Sequence, residues 1–156
     1  LFKEFNYDFP ANEPELVRAL AGIEEELRQR AAKMLGREDF HSFPDAQKQV
    51  EETIERLKKT NSSLEERIRL LESESEKTRG IFKIGRKKAI EKEINRLQKE
   101  IERNKGEIEL VTKAFARYKE FYEKRAEIRG EIERLWDLQE EIERLQEAKL
   151  EDLMRA

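Results

Sequence analysis

Apolar residues recur along this chain at steps of three and four, the spacing that lines one face of an α-helix. Leu16, Leu20, Ile23, Leu27, Ala31 and Met34 form the first such stripe. Asn12 ahead of it suits an N-cap, Pro14 is tolerated in a first turn, and Glu15 follows the cap by three. Gly36 supplies a stop. The pattern predicts a first helix over 13–35. Val50, Ile54, Leu57, Asn61, Leu64, Ile68 and Leu71 then alternate as the a and d positions of a heptad seam, opened by Ser42-x-x-Asp45. They predict a second helix over 43–79. A third, over 86–156, carries Ile90, Ile94, Leu97, Ile101, Asn104, Ile108, Val111, Phe115, Tyr118 and Tyr122. Its phase is expected to slip after Arg125, a stammer, and to resume through Ile128, Ile132, Leu135, Ile142 and Leu145. Gly106 and Gly130 are weak points inside it.

Residues 1–12 lack this period. Phe2, Phe5, Tyr7 and Phe9 crowd a stretch that ends at Pro10. It reads as an extended aromatic arm lying either on its own bundle or on a neighbour. The domain expectation is therefore an arm over 1–12 and one helical coiled-coil domain over 13–156.

If Gly80–Gly85 turns a hairpin, Leu57 meets the level of residue 107, and Leu64 meets Glu100 and Ile101. The second helix then runs out near residue 120. The first helix has the length to cover the rest, which puts Leu27 near Leu135 and Leu20 near Ile142. The fold class expected is all-α: an elongated antiparallel coiled coil, or helical hairpin, with an additional N-terminal helix. A three-helix bundle and a two-chain seam are the competing arrangements. Phe40, His41 and Phe43 fall opposite Phe115, Tyr118, Phe121 and Tyr122, an aromatic plug for the broken arm.

Composition adds limits. Ala, Glu, Lys, Leu and Arg make up more than half of the 156 residues, a long-helix signature. The chain has no Cys and one His, His41. Thiolate sites, paired-His metal motifs and a Cys nucleophile are thereby excluded. No apolar run reaches the roughly 18 residues that span a bilayer. A net charge of −3 argues against a wholly basic nucleic-acid binder. The chain begins with Leu1 and is expected to be a fragment of a longer protein, cytoplasmic in location. No catalytic residue, cofactor, metal or small-molecule substrate is expected. His41 reads as packing in a capping loop, and the many Glu as solvated faces paired at i,i+4.

Residues 77–88 hold six basic side chains and no acid: Lys77, Arg79, Lys83, Arg86, Lys87 and Lys88. They are candidates for a phosphate backbone or an anionic surface, with membrane binding disfavoured. The plain alternative is a hairpin capped by Ile81, Phe82 and Ile84. Phe2, Phe5, Phe9 and Trp136 are candidate partner contacts, and Trp136 equally suits covering the seam edge. Asn61 and Asn104 are candidate register residues, since buried polar groups at seam positions select one alignment.

Within the tip, GIFKIGRKKAIEKEI (80–94) resembles a segment in the C-terminal coiled-coil region of plasmid mobilisation relaxases of the MobA/MobL type. The match rests on Gly80, Ile81, Phe82, Lys83, Lys87, Lys88, Ala89, Ile90 and Ile94. The resemblance implies an accessory helical region of a DNA-processing protein. Relaxase chemistry needs a Tyr nucleophile and a His-rich metal site, which one His and three scattered Tyr do not supply. The expected function is a non-catalytic coiled-coil interaction, spacer or oligomerisation module, with a protein partner or a second copy. Nucleic-acid binding through the basic tip is the second choice.

Overall fold

The heptad stripes fold as helices. The computed structural model describes residues 1–37, 40–77 and 84–156, and the fold is all-α. Its helices are α1 (Glu13–Met34), α2 (Phe43–Lys77) and α3 (Ile84–Arg155). No strand occurs among the described residues. The turn expected around Gly80, with Arg79, Ile81, Phe82 and Lys83, lies outside them. α3 begins two residues ahead of the expected Arg86, taking Gly85 into the helix, and runs unbroken through Gly106 and Gly130.

The caps follow the sequence. Asn12 Oδ1 accepts the Glu15 N–H at 3.0 Å, and Glu15 Oε2 accepts the Ala11 N–H at 2.8 Å, a reciprocal cap for α1. Ser42 and Asp45 do the same for α2, with the His41 N–H on Asp45 Oδ2 at 3.1 Å. Hydrogen bonds from the Gln49 amide and the His41 backbone hold the Asp45 carboxyl below its usual range. α1 ends where Gly36 turns left-handed, with φ 66°, and the Arg37 N–H reaches back to the Ala32 carbonyl at 2.8 Å.

Packing divides the chain into two compact units. One is Leu1–Ala31 with Arg117–Ala156, and the other is Ala32–Ala116. α3 contributes to both, so one continuous helix carries two separate cores.

In the Ala32–Ala116 unit, α2 runs antiparallel to the first part of α3. Ile68, Leu71, Ile90, Leu97 and Ile101 form a buried cluster, with Leu64 and Ile94 packed against it. Further along, Asn61 and Asn104 are buried side by side. Phe43 then stacks on Phe115, ring centroids 5.4 Å apart, near a fully buried Phe40 in sequence. That much of the aromatic plug forms. His41 is exposed, and Tyr118, Phe121 and Tyr122 belong to the other unit.

In the other unit, α1 runs antiparallel to the later part of α3. Leu16, Ala19, Ile23, Leu27 and Ala31 are buried from α1, and Tyr118, Phe121 and Ile132 from α3. The register differs from the expected one. Glu24 pairs with Arg125 at 3.4 Å and Glu13 pairs with Arg129, which puts Leu27 near the level of Tyr122 instead of Leu135. The expectation carried the α2–α3 alignment on past Gly36, whose left-handed φ of 66° ends the helix. Across such a break the helical rise no longer ties residue number to level. Met34, expected on the stripe, is exposed. The phase slip also sits earlier: Phe115, Tyr118 and Phe121, all buried, are two successive steps of three, ahead of Arg125.

Candidate partner-binding site

The N-terminal arm decides where the covered part of α3 ends. The arm is not simply extended. Lys3–Phe5 forms a 3₁₀ turn, and Asn6 leaves it in the left-handed region at φ 62°. That turn aims Phe5 inward, where it is buried. The Arg30 and Arg117 guanidinium groups lie 4.9 and 5.6 Å from its ring centre, a cation–π arrangement whose cations stay open to solvent. Arg117 also pairs with Glu4 and holds that carboxyl below its usual range. Phe5 therefore anchors the arm on its own unit and is not the partner contact expected. Phe2 is half-buried, edge-on to Phe9 at 5.9 Å, and Phe9 is exposed.

Tyr7 lies directly over Gly22 of α1. A Cβ at Gly22 would overlap the Tyr7 hydroxyl. The hydrophobic pattern passes over this glycine, yet a Gly in the middle of a strong helix costs about 1 kcal/mol and so signals a close approach. The arm finishes at a buried Pro10, whose carbonyl accepts the Trp136 indole N–H at 2.9 Å. Trp136 is partly buried by this contact, so it covers the seam edge.

Beyond Trp136 every residue of α3 is exposed. Leu135, Leu138, Ile142, Leu145, Leu150 and Leu153 are between 46% and 66% exposed. At 100° per residue they fall on one side of the helix, continuing the seam on which Ile128 and Ile132 are covered. Leu135, Ile142 and Leu145 were expected beneath α1. The shifted register and the stop at Pro10 leave them bare instead.

The basic tip is described only in part. Lys77 ends α2, and Arg86, Lys87 and Lys88 stand in the first turns of α3, all exposed. Arg86 pairs with Glu74 across the α2–α3 pair. Arg79 and Lys83 lie outside the described residues. α3 has no acid in its first turn, so this positive charge stands against the helix dipole.

Asn61 and Asn104 do meet. The Asn104 amide donates to Asn61 Oδ1 at 2.9 Å, and the Asn61 amide donates to the Ile101 carbonyl at 3.3 Å. A cavity of about 100 Å³ beside Phe40, Val50 and Val111 is smaller than sites that enclose substrates. No cluster of three metal-ligating side chains occurs among the described residues. None of the described helices is long and apolar enough to cross a membrane. No protein family, curated protein or solved structure matches this chain.

Proposed function

We propose that this chain is a non-catalytic protein–protein interaction module that works through the uncovered stripe of α3. The observation that carries the reading is the run of six exposed Leu and Ile side chains over Leu135–Leu153 on one helix face. A contiguous apolar face of that length is uncommon on a surface with no partner. Tertiary packing supplies most helix stability in proteins, and among the described residues every position of α3 past Trp136 is exposed. An amphipathic helix laid along the stripe gives it that packing.

The test is fluorescence anisotropy with a labelled three-heptad peptide, Leu at its core positions and alternating Glu and Lys at its flanks. Binding is expected to survive 1 M salt, where the Debye length is about 3 Å. It is expected to vanish in Leu138→Asp/Leu145→Asp, whose fold should be unchanged because both side chains are exposed. Absent binding, or binding indifferent to the double substitution, removes the reading.

One observation favours a second reading, an anionic partner such as DNA at the basic tip: Lys87 and Lys88 are exposed at the start of a helix whose first turn holds no acid. This reading predicts duplex-DNA binding that weakens steeply with salt. Lys87→Gln/Lys88→Gln should abolish it, and unchanged affinity in that variant ends the idea.

A further inference from the structure

We propose that the occupant of the α3 stripe is the same stripe of a second copy, laid antiparallel. The inference rests on the interaction reading above and names its partner.

Continuing the seam from Leu135 places Leu138, Ile142, Leu145, Lys149 and Asp152 at the a and d levels, with Leu150 and Leu153 beside them. In a parallel pair each level faces itself. Lys149 would then face Lys149, and Asp152 would face Asp152, like charges in the seam. An antiparallel pair that sets Ile142 level with Leu145 of the second copy removes both conflicts. Lys149 then lies level with Leu138 of the second copy, within one turn of its Asp137 and Glu141. Asp152 lies level with Leu135, one residue from Arg134. At 1.5 Å per residue these offsets are about 1.5 to 4.5 Å along the axis, within side-chain reach. Of the four positions flanking the middle of the stripe, Gln139, Gln146 and Ala148 are uncharged, and Glu141 lies within one turn of Lys149 of the second copy.

The area sets the strength. Six half-exposed apolar side chains offer about 80–100 Å² each, so two copies bury about 1,000 Å². That is the lower edge of a specific interface, and it implies association in the micromolar range or weaker. Pro10 and Trp136 close the covered part of α3, so the second copy begins where the chain's own cover ends.

The experiment is sedimentation of the full chain from about 1 µM to a few hundred µM. The mass is expected to rise from 18.7 kDa to a plateau at twice that value, and Leu138→Asp/Leu145→Asp is expected to stay at the lower mass. Orientation is read by disulfide trapping, which the absence of native Cys makes clean. Leu138→Cys mixed with Lys149→Cys should give a crosslinked mixed dimer. Leu138→Cys alone should not crosslink, because its two copies stand about 16 Å apart. A mass of 18.7 kDa throughout, growth beyond the dimer, or trapping of Leu138→Cys alone each overturns the proposal. Peptide binding by a chain that stays monomeric would leave the interaction reading standing while this inference falls. Loss of both would remove the two together.

Discussion

In the Ala32–Ala116 unit, α2 and the first part of α3 bury an even heptad seam, bridged from inside by the hydrogen bond from Asn104 to Asn61. In the unit of Leu1–Ala31 with Arg117–Ala156, a shorter helix and a non-helical arm do the covering. There the alignment is fixed by contacts reaching across elements: Glu4 with Arg117, Glu24 with Arg125, Glu13 with Arg129, and Trp136 with Pro10. The difference teaches how one helix can carry two cores. A regular seam needs only apolar periodicity and one polar pair to reject slipped alignments. An irregular cover needs an individual anchor at each step, and where the anchors stop the seam is left open. Exposed ion pairs contribute little each, so Phe5 and the Tyr7–Gly22 contact carry much of the arm's hold.

The largest expected effect comes from that anchor. Phe5→Ala removes a buried ring and the surface on which Arg30 and Arg117 rest. Large-to-small changes of this kind cost about 3–5 kcal/mol. Hydrogen exchange should quicken by the matching factor in α1 and around Tyr118–Ile132. Protection at Ile68, Leu97 and Ile101 should hold. Equal loss in both units would mean they unfold as one, and the comparison would break.

Next is the polar pair. Asn104→Leu leaves Asn61 Oδ1 without its side-chain donor in a buried seam, a cost of about 1–3 kcal/mol. Changing both to Leu should recover that stability or exceed it, since an apolar pair leaves nothing unsatisfied. The recovered protein should be less particular about alignment. Spin labels on α2 and α3 should then report a spread of distances where the unsubstituted chain gives one. A double variant as weak as the single one would show that the pair contributes more than register.

The two units were unequally legible in the sequence for the same reason. α2 and its half of α3 follow a two-residue alphabet, apolar or polar, at a fixed period, so Val50 through Leu71 and Ile90 through Val111 could be placed by counting. Asn12 and Gly36 were legible too, because capping depends on local residue type. The register of α1 was not, because the left-handed Gly36 ends the helical counting that placed it. Phe5 was misplaced because an aromatic arm has no period, and a left-handed Asn6 decides which way its rings point. The open stripe was legible only as a seam; what covers it depends on the shifted register of α1 and on the arm's contact between Pro10 and Trp136.

A pH effect separates the units further. Burial, with Glu24 adding to it, pushes the Tyr118 hydroxyl up to about 12 from its usual 10. The folded state therefore holds this proton more tightly than the unfolded chain does. Stability from that source is complete below pH 10, falls as pH rises through 10 to 12, and is gone above. Chemical denaturation across that range should show the arm-bearing unit weakening first. Tyr118→Phe should flatten the dependence, whereas an unchanged slope would place the titrating group elsewhere.

The smallest effect is also the sharpest contrast, because the chemical change is identical in both units. Gly106 lies in the α3 part of the Asn-bearing unit, with no atom within 4 Å of where a Cβ would stand. Gly106→Ala should stabilise by about 1 kcal/mol, the difference in helix propensity. Gly22→Ala makes the same gain in α1, but its methyl must displace the Tyr7 ring. The ring is the far end of a side chain and can move, so the helix survives while the arm loosens. Thermal melts should show the Gly106 gain missing at Gly22, and tyrosine fluorescence or exchange at 5–10 should show the arm released. Equal gains at the two sites would mean that Tyr7 rests on α1 without holding it.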